Sequence, residues 1–226
     1  MSASPRASRT DAVRWRAQAQ QARGLDGRWR RRRRRGGNSG AVDAGSGGEV
    51  VFATVAVTPG QSFAVTIGQG GNAGEDILPP DDVFPGDGGD TVIAGVLTAE
   101  GGAHGNNRLQ SAPTPEGGDG AAGPRSGMDG GPGLASDFDG TTRTYGSGGA
   151  GAVSVTTGTP GAQSTLPNQG GGGNGGLGAE GFPGQAGRAV ARYRTGTLTA
   201  TGGAITTSGE WTVHTFTGDG TFTVTG

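Results

Sequence analysis

The sequence predicts a mostly β and irregular fold, in which β-hairpins flank a glycine-rich region of polyglycine-II-like helices and loops, behind a disordered Arg-rich N-terminus. Three observations support this. Gly accounts for 52 of the 226 residues and the hydrophobic class for only 31%, so few side chains are available for a large apolar core. Strand-like alternation occurs on both sides of the glycine-rich region. Within that region, Gly recurs at every third position.

Residues 1–44 are the first predicted segment, a disordered or mis-framed Arg/Gly-rich tail. Residues 1–35 hold 12 Arg and two acidic residues, whereas the rest of the chain holds six Arg and 17 acidic residues. Asp11–Arg23 is rich in Ala, Gln and Arg, which favours a helix, although it lacks an apolar stripe that could dock one. The two parts of the chain are therefore expected to behave differently.

The run Arg30–Arg35 is the sharpest local feature of this tail. It indicates either a segment that binds phosphates through counterion release or a plain disordered tail. A third hypothesis is a mis-framed poly-Gly tract, because repeated CGG codons become GGC codons one base later. Mass mapping of peptides from the native protein would separate these, since an Arg-rich N-terminal peptide contradicts the mis-frame.

Residues 45–195 are predicted to form a glycine-rich domain that opens with a β-hairpin. Residues 50–57 are rich in β-branched residues and alternate with period two, and Ser62–Ile67 forms a second strand. Thr58–Gln61 is predicted to be the turn, with Pro at its second position and Gly at its third.

The glycine spacing predicts the structure of the region between residues 68 and 187. Gly172, Gly175 and Gly178 begin a strict period-three series that continues to Gly187. Three residues per turn is the repeat of the polyproline-II and polyglycine-II helix, whose backbone groups must bond to neighbouring segments. Collagen and flexible linker are the alternatives, but the run is short and poor in Pro, and bulky apolar residues interrupt the region.

Residues 196–226 are predicted to form a C-terminal β-hairpin motif, preceded by a closing strand at Ala189–Tyr193. Ala204–Thr207 and Trp211–Phe216 alternate around a Ser208–Gly209 turn. A further strand, Thr221–Val224, follows the turn at residues 218–220.

Three strings resemble motifs of glycine-rich domains in bacteriophage minor tail proteins. They are EWTVHTFTGDGTFTV near the C-terminus, VTPGQSFAVTIGQGG in the first hairpin and GFPGQAGRAVARY at the closing strand. The likeness covers most of residues 45–226, whereas residues 1–35 depart from the pattern. Such domains are common in phages that infect actinobacteria. This fits a chain with 18 Arg and no Lys, because GC-rich genes favour Arg codons. The resemblance implies a location in the virion tail and contact with the host surface.

No catalytic or metal site is predicted, and no cofactor. Cys is absent, the two histidines lack ligand spacing, and no nucleophile elbow occurs. His214 is expected to be a packed strand residue. Recognition is instead expected at side chains in loops that project between glycine helices. The candidates for receptor binding, all in glycine-poor interruptions, are Phe84, His104, Asn106, Asn107, Phe138, Asp139 and Tyr145.

The favoured function is therefore a non-enzymatic tail-tip adhesin. Its expected partners are other phage tail proteins and a host cell-surface polysaccharide or protein. A passive structural protein of the tail or of a bacterial surface is the main alternative, and nucleic-acid binding through the Arg run is the weakest. No run of about 18 apolar residues is present, so no membrane insertion is expected.

Overall fold

The computed structural model describes residues 11–18, 41–42, 45, 47–72, 86–102, 104, 133–149, 152–153, 156–157 and 183–226. These residues are mostly strands joined by turns and irregular segments, and no helix occurs among them. The predicted mostly β and irregular class is therefore confirmed for the described part of the chain. Phe84, Asn106, Asn107, Arg30–Arg35 and most of the period-three glycines lie outside it.

The strands of the described residues are, in chain order, β1 (Asp11–Gln18), β2 (Ala41–Val42), β3 (Val50–Val57), β4 (Ser62–Thr66), β5 (Thr91–Ile93), β6 (Leu97–Ala99), β7 (Leu134–Ser136), β8 (Arg143–Tyr145), β9 (Ala152–Val153), β10 (Thr156–Thr157), β11 (Arg188–Arg194), β12 (Ala200–Thr201), β13 (Ala204–Ser208), β14 (Trp211–Phe216) and β15 (Gly220–Val224).

Two five-stranded antiparallel sheets make up the framework. Sheet I has the order β13-β14-β11-β1-β3, and sheet II has the order β12-β15-β4-β5-β6. Their facing sides enclose one core, as in a β-sandwich. It is built from alternate residues of both sheets, including Val13, Val57, Val65, Ile93, Ala191, Tyr193, Phe216 and Phe222. The small sheet β10-β9-β2 and the pair β7-β8 lie outside this framework.

The first predicted hairpin is not a hairpin. Strands β3 and β4 form where expected, and Thr58–Gln61 is a turn in which Gly60 has a φ of 91°. The two strands nevertheless belong to different sheets, so the turn carries the chain from sheet I to sheet II. Alternation shows only that one side of each strand is buried. It does not distinguish a strand bonded to its neighbour from one packed against it across a core.

The C-terminal motif contains one hairpin and one crossing between the sheets. Strands β13 and β14 pair around Gly209, from Ala204↔Thr215 to Ser208↔Trp211, as predicted. Strand β15 does not pair with β14 but joins sheet II beside β4. The Oδ1 atom of Asp219, in the connecting turn, accepts a hydrogen bond of 2.8 Å from the backbone N–H of Ile67. Each sheet therefore contains strands from residues 196–226 as well as strands from earlier in the chain.

The helix expected over Asp11–Arg23 does not form at Asp11–Gln18, which is β1 inside sheet I. This strand pairs with β3 along its whole length, from Asp11↔Val57 to Gln18↔Val50. It also pairs with β11 from Arg14↔Arg192 onward. Helix propensity is worth only tenths of a kcal/mol per residue, so pairing on both sides outweighs it. The remaining residues of 1–40 lie outside the described part of the chain.

The described ends of the glycine-rich region bond backbone to backbone without forming strands. Gly187 N donates to Gly68 O (2.9 Å), and Gly184 N donates to Gly71 O (3.3 Å). On the other side, Gly89 N donates to Gln69 O (3.0 Å). The segments lie so close that a Cβ atom at Gly68 would collide with the carbonyl of Gly89. Glycine is therefore required there for close packing.

Candidate functional site

The outward face of sheet I carries a second apolar cluster, separate from the core. Alternation along β11 turns Ala189, Ala191 and Tyr193 inward and leaves Val190 and Arg192 on the outward face. On β14, Val213 and Trp211 lie on the same side. Without a cover, this face would expose an apolar patch to water. The loop that follows β7 partly covers it.

Phe138 is the residue by which this loop packs onto the sheet. Its side chain is buried against Val190, Val213 and Trp211. Its ring also meets that of Phe52 edge-to-face, with centroids 5.7 Å apart and planes at 63°, a favourable aromatic geometry. The loop is closed by a turn in which Gly140 N donates to Asp137 O (2.8 Å).

Asp139 fixes the loop through two arginines. Its Oδ2 atom accepts hydrogen bonds from Arg143 Nε and Arg188 Nη1, each at 2.9 Å. Only 5% of the Asp139 side chain is exposed, so the pairs are screened little by solvent. Oδ1 accepts from the N–H of Thr141 (3.1 Å). Asp139 therefore joins the loop, β8 and β11 into one rigid unit.

Arg192 lies between two aromatic rings on this face. Its guanidinium carbon is 4.1 Å from the centroid of Phe138 and 4.8 Å from that of Trp211, both within cation–π range. Its Nη1 atom also donates to the carbonyl oxygen of Phe138 (3.3 Å). The cation thus holds both the ring and the backbone of the residue that packs the loop.

Two open clefts flank Phe138, of about 370 Å³ and about 160 Å³. Asp137, Phe138 and Arg192 line both of them. The larger cleft is completed by Phe52, Ala53, Thr54 and Ser136. The smaller one is completed by Gly140, Ser208, Trp211 and Val213. The two clefts together are called here the Phe138 groove. Polar and apolar groups share the walls of both clefts, and the smaller cleft is the more polar of the two.

Of the four described residues that were candidates for receptor binding, only Phe138 lines the groove. Asp139 is buried and positions the loop. Tyr145 is 1% exposed, so, contrary to the expectation of a projecting loop, it packs inside the protein. His104 lies elsewhere, where its backbone N–H and its Nδ1 atom contact Asp87 Oδ1 at 2.8 and 2.6 Å. Phe84, Asn106 and Asn107 fall outside the described residues.

Sequence reasoning missed most of the groove. The lining residues that it did not single out for recognition include Phe52, Thr54, Asp137, Arg192, Ser208 and Trp211. A signal was present, because Phe52 and Trp211 are large aromatics in the outward phase of alternating strands. Phe52 remains 49% exposed, which is high for a side chain of this size.

The titratable groups with shifted pKa values lie away from the groove. Burial lowers the pKa of His214, only partly offset by its bond to Gly202. His214 Nδ1 contacts Gly202 O (2.7 Å), a pure acceptor, so Nε2 must accept from the Tyr193 hydroxyl (3.1 Å). Burial also raises the pKa of Tyr193. His214 is thus a packed strand residue, as expected.

Among the described residues, Asp87 also has a shifted pKa. Burial would raise it, but hydrogen bonds from the backbone and ring of His104, together with the charge of that ring, bring the pKa below its ordinary value. The pair joins residues 86–90 to His104. Among the described residues, no group of three or more His, Cys, Asp or Glu is placed to hold a metal ion.

Comparisons with known proteins do not assign this chain to a family. No family model matches it, and no curated protein matches it significantly. Within the described residues, no helix is long and apolar enough to cross a membrane.

Proposed function

We propose that this chain is a minor tail protein of a bacteriophage that infects actinobacteria, and that it acts as a tail-tip adhesin on the host cell surface. The proposal rests on the three motif resemblances together with one structural observation, the Phe138 groove. Its partners would be other tail proteins and a host surface polysaccharide or protein. Its place would be the virion tail, exposed to the host.

The groove supports a binding role better than a passive structural one. A passive face has no need of an exposed Phe52 beside a cleft, with Arg192 and Asp137 at its centre. The Phe138 loop is also fixed in advance by Asp139 and Arg192, so little ordering would be required when a ligand binds. Among the described lining residues, Asp137 is the one carboxylate, whereas most glycosidases use a pair. We therefore propose binding rather than hydrolysis.

We also propose that the glycine-rich region forms a bundle of polyglycine-II helices that stiffens the adhesin. The support is the bonding of two extended segments at intervals of three residues. Gly187 and Gly184 donate to Gly68 and Gly71, so the two segments run antiparallel and the bonds recur every three residues in each. The same interval separates the glycines from 172 to 187. Dense bonding of this kind needs no side chains.

Binding of the labelled full chain to intact actinobacterial cells and isolated cell walls tests the adhesin. The full chain is required because β1 lies inside sheet I. Saturable binding, together with antibody labelling of the chain on virion tails, is the expected result. A folded chain that binds neither cells nor walls but is found in virions would favour the passive structural function. Absence of the chain from virions would contradict the tail assignment.

A further inference from the structure

We propose that the Phe138 groove binds a polysaccharide, and that its two clefts are subsites for successive sugar units of one linear glycan. This inference rests on the proposed adhesin function and deepens it. It decides between the two ligand classes, polysaccharide and protein, that the adhesin proposal leaves open. The assignment follows from the shape of the groove, from the side chains at its two ends and from its position across sheet I.

The shape of the groove favours a small ring over a protein surface. A stable protein partner needs roughly 800 Å² of broad, complementary surface on each side. The described face instead presents two small concavities separated by a ridge. Asp137, Phe138 and Arg192 line both clefts and form their shared wall, called here the ridge. Two concavities with a shared wall fit two rings of one chain better than a continuous protein interface.

The lining chemistry matches a sugar in each cleft. A pyranose ring has apolar C–H faces and a rim of hydroxyl groups, so it needs an aromatic wall and fixed polar partners. The larger cleft offers Phe52 with Thr54, and the smaller offers Trp211 with Ser208. The carboxylate of Asp137 accepts hydrogen bonds, and the planar guanidinium of Arg192 donates them. Both residues line both clefts, and Asp137 is exposed.

The direction of the groove fits an extended glycan. Phe52 lies on β3, Arg192 on β11 and Trp211 on β14, with β1 between the first two. The groove therefore crosses three strand spacings of about 4.8 Å, which is about 14 Å. It runs obliquely, because the register sets Phe52 level with Thr215 rather than with Trp211. That length exceeds a single sugar ring. A ligand that uses both aromatic residues must be an oligosaccharide that runs across the strands.

Calorimetric titration of the full chain with oligosaccharides of defined length tests the inference. The probes are mono- to hexasaccharides prepared by partial acid hydrolysis of purified actinobacterial wall polysaccharide. We expect affinity to rise steeply once a probe is long enough to fill both clefts and then to level off. Equal affinity for the monosaccharide and the longer probes would overturn the two-subsite assignment.

Substitutions at the two ends of the groove localise the binding. Phe52→Ala and Trp211→Ala should each lower affinity for the hexasaccharide by about tenfold or more, as loss of a large aromatic contact does. Ile205→Ala is the matched control, because Ile205 is 52% exposed on edge strand β13 and lines neither cleft. Thr54→Arg fills the larger cleft from an exposed position and should weaken binding even if Phe52→Ala fails to fold. Unchanged affinity in folded Thr54→Arg and Trp211→Ala would overturn the site.

The same titrations separate failure of this inference from failure of the adhesin proposal. If the chain binds cells saturably but no wall oligosaccharide binds or competes, the receptor is a protein. The glycan inference is then wrong, while the adhesin proposal stands. If the folded chain binds neither cells nor walls, the adhesin proposal itself fails.

Discussion

Arg192 and Phe138 hold each other at two points. The guanidinium lies 4.1 Å from the centroid of the Phe138 ring, and Nη1 donates to the Phe138 carbonyl at 3.3 Å. A strand residue thereby fixes both the side chain and the backbone of a loop residue 54 positions earlier in the sequence. Arg192 therefore helps to hold the ridge between the two clefts, together with the ion pairs of Asp139.

Substitution of Arg192 should disturb the ridge and the binding together. Arg192→Lys keeps the charge but loses the planar group that covers two rings, so we expect a loss of about 1 kcal/mol in stability. The affinity for cells should fall by more than the loss of folding stability can explain, since both clefts share this residue. Urea denaturation and cell-binding titration of the same variant measure the two effects. Wild-type cell binding by Arg192→Lys would remove Arg192 from the recognition surface.

Asp139 should matter for stability far more than an exposed acid does. Asp139→Asn leaves Arg143 and Arg188 without their buried carboxylate, and breaking a buried ion pair costs about 3 kcal/mol. The matched control is Glu210→Gln, whose pair with Arg194 is 2.7 Å long but more than half exposed on both sides. That change should cost less than about 1 kcal/mol. Equal losses in urea denaturation would contradict the anchoring role of Asp139.

Buried His214 should make the protein less stable in mild acid. Its pKa lies below the ordinary value of 6.5, so below that pH the unfolded chain binds a proton that the folded chain does not. Stability is therefore full above pH 6.5 and falls as the pH drops, by at most about 1.4 kcal/mol per pH unit. Urea denaturation between pH 5 and 8 measures the effect.

The control for this pH dependence is His104→Gln, which leaves the buried imidazole of His214 in place. The lowered pKa of Asp87, the partner of His104, affects stability only when the pH falls below about 4, outside this range. The variant should therefore keep the loss of stability in mild acid. If stability of the wild-type chain does not change between pH 5 and 7, the assignment to His214 is wrong.

Gly68 and Gly86 distinguish a glycine that close packing requires from one that has open space around it. A Cβ atom at Gly68 would collide with the backbone of Gly89, whereas one at Gly86 meets nothing within 4 Å. Gly68→Ala should therefore cost about 2 kcal/mol through overpacking. Gly86→Ala should change stability by less than about 1 kcal/mol. Thermal unfolding compares the two, and an equally tolerated Gly68→Ala would argue against the proposed glycine bundle.

The sequence predicted strands well and their partners poorly. Alternation located β3, β4, β11 and β14, because it reports which side of a strand is buried. It could not show that β3 and β4 belong to different sheets, since bonding and packing partners leave the same pattern. The strand β1 was missed for the opposite reason. Its Ala, Gln and Arg residues carry a helical preference that pairing on both sides overrides.

The sequence predicted only part of the groove, because local composition marks bulky loop residues but not their partners in the folded protein. Phe138 is a bulky residue in a glycine-poor interruption, and it lines both clefts. Asp139 and Tyr145 met the same criterion but are buried, because local composition does not show which side of a loop packs on a sheet. Arg192 gave no local signal. Its role depends on Phe138 and Trp211, which reach it only in the folded protein.

Binding of Trp211→Ala to actinobacterial cells, measured beside Ile205→Ala, tests the recognition surface most directly. Both changes remove a large apolar side chain from sheet I, but only Trp211 lines the groove. If the Phe138 groove is the adhesive site, Trp211→Ala should bind cells at least about tenfold more weakly than Ile205→Ala. Ile205→Ala should match the wild-type chain. Equal, saturable binding by the two folded variants would place recognition elsewhere on the protein.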